Sequence, residues 1–133
     1  MTTRRRRQPR GALRRADRIR YERIIDAYLR RCYADRTVAR ASELAQLLSG
    51  NRQHVSEVVL ELLGKPLRDI LREKRLAEAV RLLKLTPLRL DDLARASAFG
   101  HRSTFFRAFA EAFGITPTEF RNRYREDMTA SSD

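Results

Sequence analysis

Residues 93–117 read LARASAFGHRSTFFRAFAEAFGITP, and residues 44–66 read LAQLLSGNRQHVSEVVLELLGKP. Leu44-Ala45 matches Leu93-Ala94 at an offset of 49, and Val55, Val59, Leu63 and Gly64 match Phe105, Phe109, Phe113 and Gly114 at an offset of 50. Apolar residues at four-residue steps lie on one face of a helix. A glycine just past such a run ends the helix, and a proline beyond it opens a new one. Each stretch therefore spells a short helix, a tight turn, a longer amphipathic helix, a glycine stop and a proline-marked restart. That is the form of a helix-turn-helix. A fixed offset aligning Leu-Ala, three apolar positions and a stop glycine is hard to obtain by chance, so the unit occurs twice.

The remaining elements follow outward from this repeat. Ile24, Ile25, Tyr28, Leu29 and Cys32 predict a helix over about 13–33, and Leu44, Ala45 and Leu48 a short one over 41–48. Ser49-Gly50-Asn51 makes the first turn, with Asn51 suited to cap the helix over 52–63. A linker helix from Pro66 to about Lys84 is expected to bury Leu67, Ile70, Leu71, Ala77, Val80 and Leu83. Thr86-Pro87 breaks it. Asp91 and Asp92 suit the first turn of a helix over 90–96, where the helix dipole favours acids. Thr116-Pro117-Thr118-Glu119 is a capping box opening a last helix to about Arg125. The expected fold is all-α, with helix-turn-helix subdomains at 13–65 and 86–126 joined by a linker helix at 66–85. A disordered Arg-rich arm is expected at 1–12 and a flexible tail at 127–133.

The 133 residues carry a net charge of +12, and 42% of them are hydrophobic, enough to build real cores. Residues 1–40 hold 14 Arg against 4 acids, a net +10, so the excess belongs to the arm and first helix. Such a balance points to a polyanionic partner, nucleic acid ahead of an anionic membrane surface. One cysteine and two histidines, His54 and His101, provide neither a metal site nor a nucleophile–base pair, and no glycine-rich phosphate loop is present. No enzyme activity, metal or cofactor is expected. The lone Cys32 suits a reducing compartment, and no apolar run approaches the roughly 18 residues that span a membrane. A cytoplasmic, nucleoid-associated location is the expectation.

From about Arg23 to Arg125 the chain resembles the DNA-binding domain of the AraC/XylS family. The resemblance is carried by Leu93-Ala94, Phe99, Ser103 to Phe109, Phe113 to Pro117 and Phe120-Arg121, in order and spacing, with Arg75-Leu76, Ala79 and Leu82-Leu83 matching the linker-helix pattern. It implies a small single-domain bacterial transcription regulator, mostly of the activator kind; RNA polymerase is a candidate second partner. Four positions depart from the family pattern. Ala98 stands where glycine is usual, Val59 where an aromatic is frequent, Glu57 where a base is common, and Phe106 where the residue is small and polar.

In a helix-turn-helix the second helix offers its outward residues to base edges while its inner face packs on the first. In the second unit the outward set is Arg102, Ser103, Phe106 and Arg107. Arginine forks onto guanine O6 and N7, each pair discriminating by about 1–3 kcal/mol. Phe106 has two readings, against a thymine methyl or packed beneath the turn. In the first unit the set is Arg52, Gln53, Ser56 and Glu57. Gln53 suits adenine, and Glu57 accepts from cytosine or pairs with a neighbouring Arg. Arg72, Lys74, Arg75, Lys84 and Thr116 are backbone-contact candidates. Arg4, Arg5, Arg6 and Arg7, with Arg10, Arg14 and Arg15, form an arm that either follows phosphates or only solubilises the chain. A monomer on double-stranded DNA is expected. The competing reading is a basic helical adaptor that binds RNA polymerase or another regulator and touches DNA nonspecifically. Leu60 motivates that reading, unless it packs against the first helix.

Overall fold

The computed structural model describes the backbone of residues 10–48 and 52–131, and the side chains of residues 14–48 and 53–131. The arm at 1–9 and the turn Ser49-Gly50-Asn51 lie outside the described residues. Seven helices follow in order: α1 (Arg10–Asp35), α2 (Ala41–Leu48), α3 (Arg52–Leu63), α4 (Leu67–Leu85), α5 (Leu90–Ala96), α6 (Arg102–Phe113) and α7 (Pro117–Ser131). There is no strand among the described residues.

The expected repeat is present in three dimensions. Leu44, Leu93, Val59, Phe105 and Phe109 are all fully buried, so corresponding positions of the two units fill two cores. In the first, Tyr21, Ile25, Tyr28, Leu29 and Cys32 of α1 pack on α2, on α3 and on Leu67, Ile70 and Leu71 of α4. In the second, Leu76, Ala79, Leu82 and Leu83 of α4 pack on α5 and on the Phe99, Phe105 and Phe109 rings. The two halves of α4 thus belong to different cores. Phe109 meets Phe105 and Phe120 edge-on at 5.8 and 5.6 Å, a favoured aromatic geometry.

Local chemistry explains the ends. Gly64 and Gly114 close α3 and α6 in the left-handed conformation. The Thr86 hydroxyl donates to Leu82 O at 2.7 Å and ends α4. At the start of α7 the Glu119 N–H donates to Thr116 Oγ1 at 3.1 Å, the expected cap.

Several boundaries and faces differ from expectation. α1 starts at Arg10, three residues early, and residues 14–20 are all exposed. α7 runs on to Ser131 instead of fraying at 127, since nothing after Pro117 breaks a helix and Thr129 and Ser131 bond back to the preceding turn. On α4, Ala77 is exposed and Val80 half-buried, while Leu76 and Ala79 are buried. The expected Leu67, Ile70, Leu71 and Leu83 are buried, and between them the inner row passes through half-buried Arg75 to Leu76 and Ala79, one step round from Ala77 and Val80. Phe113 is 48% exposed, although its ring lies 4.6 Å from that of Phe109, tilted by 56°.

Candidate nucleic-acid interface

α6 presents one dry face and one wet face. Phe105, Ala108 and Phe109 are buried, whereas Arg102, Ser103 and Arg107 are exposed. Arg102 is pre-positioned by two neighbours. Its guanidinium lies 4.8 Å over the Phe106 ring and 3.8 Å from the Asp91 carboxylate of α5. Phe106 is half-buried and meets Phe105 edge-on at 5.9 Å, so it packs against the second core while its face supports Arg102. Phe106 thus stands between Arg102 and the second core. Among the described residues no carboxylate pairs with Arg107.

α3 is less basic on its outward side. Gln53, Ser56 and Glu57 are exposed, with Val55 and Val59 buried behind them. Gln53 and Ser56 are each engaged with a neighbour. Glu57 has no arginine partner among the described residues. The side chain of Arg52 lies outside the described residues, as do Arg4 to Arg7. Leu60 is 54% exposed. Its neighbour Glu61 holds Arg14 of α1 at 2.9 Å.

The backbone-contact candidates divide. Arg72 is exposed between Asp69 and Glu111, both at 3.9 Å. Lys74 pairs with Asp26 at 2.9 Å, and Lys84 lies over the Tyr124 ring at 5.5 Å. The Thr116 hydroxyl is spent on capping α7. Arg75 turns inward. Its Nη1 donates to Ala98 O at 3.2 Å and its guanidinium stacks at 4.6 Å on Phe99. Burial lowers its pKa from the usual arginine value, although a guanidinium remains charged at any ordinary pH.

Two residues that enter the sequence reading only through the family pattern have structural roles. Arg121, 8% exposed, donates to the carbonyls of Leu83, Thr86 and Leu88 and so fastens α7 to the α4–α5 connection. Its signal was the spacing: it follows Pro117 by four on the inner row of α7. Ala98 adopts φ +65°, the left-handed region where the family's glycine is at ease.

A helix-turn-helix domain family model matches residues 44–123. The chain is 29% identical over 79 residues to the HTH-type transcriptional activator AarP of Providencia stuartii, covering 59% of this chain and 58% of AarP. It is 34% identical over 80 residues to the HTH-type transcriptional regulator GlxA of Rhizobium meliloti, covering 60% of this chain and 25% of GlxA. The chain thus spans little more than half of one relative and a quarter of the other. Among solved structures, the DNA-binding domain of AdpA in complex with a target DNA superposes with a TM-score of 0.72 at 20% identity, covering 80% of this chain and 94% of that one. The C-terminal domain of the response regulator yesN of Fusobacterium nucleatum superposes with a TM-score of 0.66 at 26% identity, covering 75% and 96%. No helix among the described residues is long and apolar enough to cross a membrane.

Proposed function

The chain belongs to the AraC/XylS-type helix-turn-helix family of DNA-binding transcription regulators, and from that premise we propose that it binds double-stranded DNA sequence-specifically as a monomer, lays α3 and α6 into successive major grooves, and activates transcription. The observation that carries this reading is the doubled unit. Two helices with buried inner faces and polar outer faces stand 50 residues apart, built on opposite halves of one helix. Two successive grooves on one face of B-DNA lie about 34–36 Å apart, a spacing that two heads on one chain are suited to match.

Base reading is assigned to Arg102, Ser103 and Arg107 on α6, with Phe106 as the platform under Arg102, and to Arg52, Gln53, Ser56 and Glu57 on α3. Arg72 is the backbone contact of choice on α4. Arg75 leaves that set because its donors face inward, and so does the Thr116 side chain, though the N-terminus of α7 remains suited to a phosphate. Arg4 to Arg7 supply sequence-blind phosphate attraction. Activation rests on the likeness to AarP and the other activators of the family, with RNA polymerase as the partner.

Selection of binding sites from a random duplex pool tests this reading. Enrichment of one asymmetric motif with two separated blocks supports it. Retention that follows only length and salt supports the adaptor reading instead. One observation favours a protein contact in either case: Leu60 projects into solvent on the rim of α3. A Leu60→Asp protein that binds DNA normally but no longer activates a reporter would identify that contact.

A further inference from the structure

Ala98 and Phe99 are adjacent in the chain, yet their side chains enter different cores. The Ala98 methyl is fully buried in the first core, among residues of α1, α2 and the start of α4. The Phe99 ring is buried in the second, 5.5 Å from Phe105. The left-handed φ of +65° at Ala98 makes this divergence possible by reversing the chain between them. A β-carbon in that conformation is strained, so the surroundings must hold it there.

They do so through one carbonyl. Ala98 O accepts the Ala39 N–H at 3.1 Å, from the α1–α2 connection, and Arg75 Nη1 at 3.2 Å, from the middle of α4. Arg75 also stacks on Phe99, so a single guanidinium ties the linker helix to the turn and to the second core. Next along, Gly100 at φ +85° sits against Val38, so close that a β-carbon there would collide with the Val38 Cγ2 methyl. The turn of the second unit is thus seated in the first unit at Ala98 and Gly100, on either side of Phe99, which belongs to the second core.

We propose that this node, Arg75 and Ala39 on the Ala98 carbonyl with Gly100 against Val38, sets the angle and separation of the two reading helices and so fixes the half-site spacing the protein accepts. A helix alone does not ensure this, because α4 carries one core on each half and helices bend where packing permits. Arg75 is accordingly a positioning residue for spacing. One inserted base pair moves a half-site by about 3.4 Å and turns it by about 35°, more than a seated turn tolerates. The inference rests on the two-groove reading for its DNA consequence, and its protein consequence stands apart from DNA.

The test has an arm for each. In a Cys32→Ala background, spin labels at exposed Ser42 of α2 and Ala110 of α6 report the distance between units without DNA. The parent should give one narrow distribution. Arg75→Met and Gly100→Ala should broaden or shift it, and Arg75→Lys, which keeps a donor, should recover part of the parent width. In binding titrations against selected sites carrying minus one, zero or plus one base pair between blocks, the parent should lose about tenfold or more off the optimal spacing. The variants should lose less than about threefold while binding each isolated block as the parent does. All proteins are checked for folding by circular dichroism, and Val38→Ala stands in for either variant that does not fold. Parental distances in the variants overturn the node as a determinant of head geometry. Altered distances with a parental spacing profile overturn its role in spacing. If a selected site proves to hold one block, the two-groove reading fails, while the label distances still judge the node.

Discussion

Gly64 and Gly114 stand 50 residues apart and end their helices in the same conformation, φ +76° and +75°. Each N–H closes the last turn, onto Leu60 O at 3.0 Å and Ala110 O at 2.8 Å. A β-carbon on either would meet nothing within 4 Å, so only backbone strain resists one.

Gly64→Ala and Gly114→Ala should therefore each destabilise by about 1–2 kcal/mol, and the two costs should add, being far apart. Urea unfolding of both single variants and the double variant checks this. A cost near zero at either glycine would mean that its helix end relaxes out of the left-handed region.

Arg121 holds the carbonyl of Leu83 near the end of α4 and those of Thr86 and Leu88 in the α4–α5 connection. Arg121→Met keeps the stem and removes the donors, leaving acceptors under-satisfied, at a cost of roughly 2–4 kcal/mol. The loss should appear first in the second unit, as faster amide exchange in α5 and α7 than in α2. Uniform exchange across the chain would contradict a local clip.

These arginines mark the boundary of what could be read from the sequence. The repeat made the helix-turn-helix pairs legible, and the observed α2, α3, α5 and α6 match the expected spans, because apolar spacing, glycine stops and proline starts are local signals. Arg75 and Arg121 were assigned outward or passed over because a charged side chain is solvated by default. Their positions on the inner rows 67–71–75–79–83 and 117–121 carried the contrary signal. Ala77 is exposed for a related cause, since α4 serves two cores and its stripe passes through Arg75, whereas Val80 packs half-buried against the second core. The helix through 127–131 was missed because Met-Thr-Ala-Ser-Ser looks like a tail by composition. The bond between Ala39 and Ala98 left no trace, for it joins two turns 59 residues apart.

The Tyr28 hydroxyl accepts the Arg40 N–H at 2.8 Å, and burial pushes its pKa from 10.0 up to about 12. The folded state thus holds the proton more tightly than the unfolded chain does. That contribution is fully present below about pH 10 and is lost as pH rises toward 12. Tyr28→Phe should be less stable than the parent at pH 8, with the gap narrowing between pH 10 and 12. Thermal melts across that range decide it, and a constant gap would contradict the assignment.

Arg102→Ala and Arg107→Ala should each weaken cognate binding by about 1–3 kcal/mol and relax preference at particular bases, with little effect on folding. Glu57→Ala should change little or raise affinity for random DNA. Phe106→Ala should weaken cognate binding through Arg102, so its effect should largely vanish in the Arg102→Ala background. Titration of these variants against cognate and random duplexes checks the set. Parental binding by both arginine variants, with lost preference in Glu57→Ala, would make α3 the principal reader.

Methylation interference on a selected site, with the purified monomer at physiological salt, tests the central reading most directly. The expected result is two blocks of major-groove guanines on one face of the duplex, about one helical turn apart, unlike in sequence, with the block contacted by α6 losing its interference in Arg107→Ala. A single block, or two identical blocks in inverted orientation bound by a dimer, would contradict it.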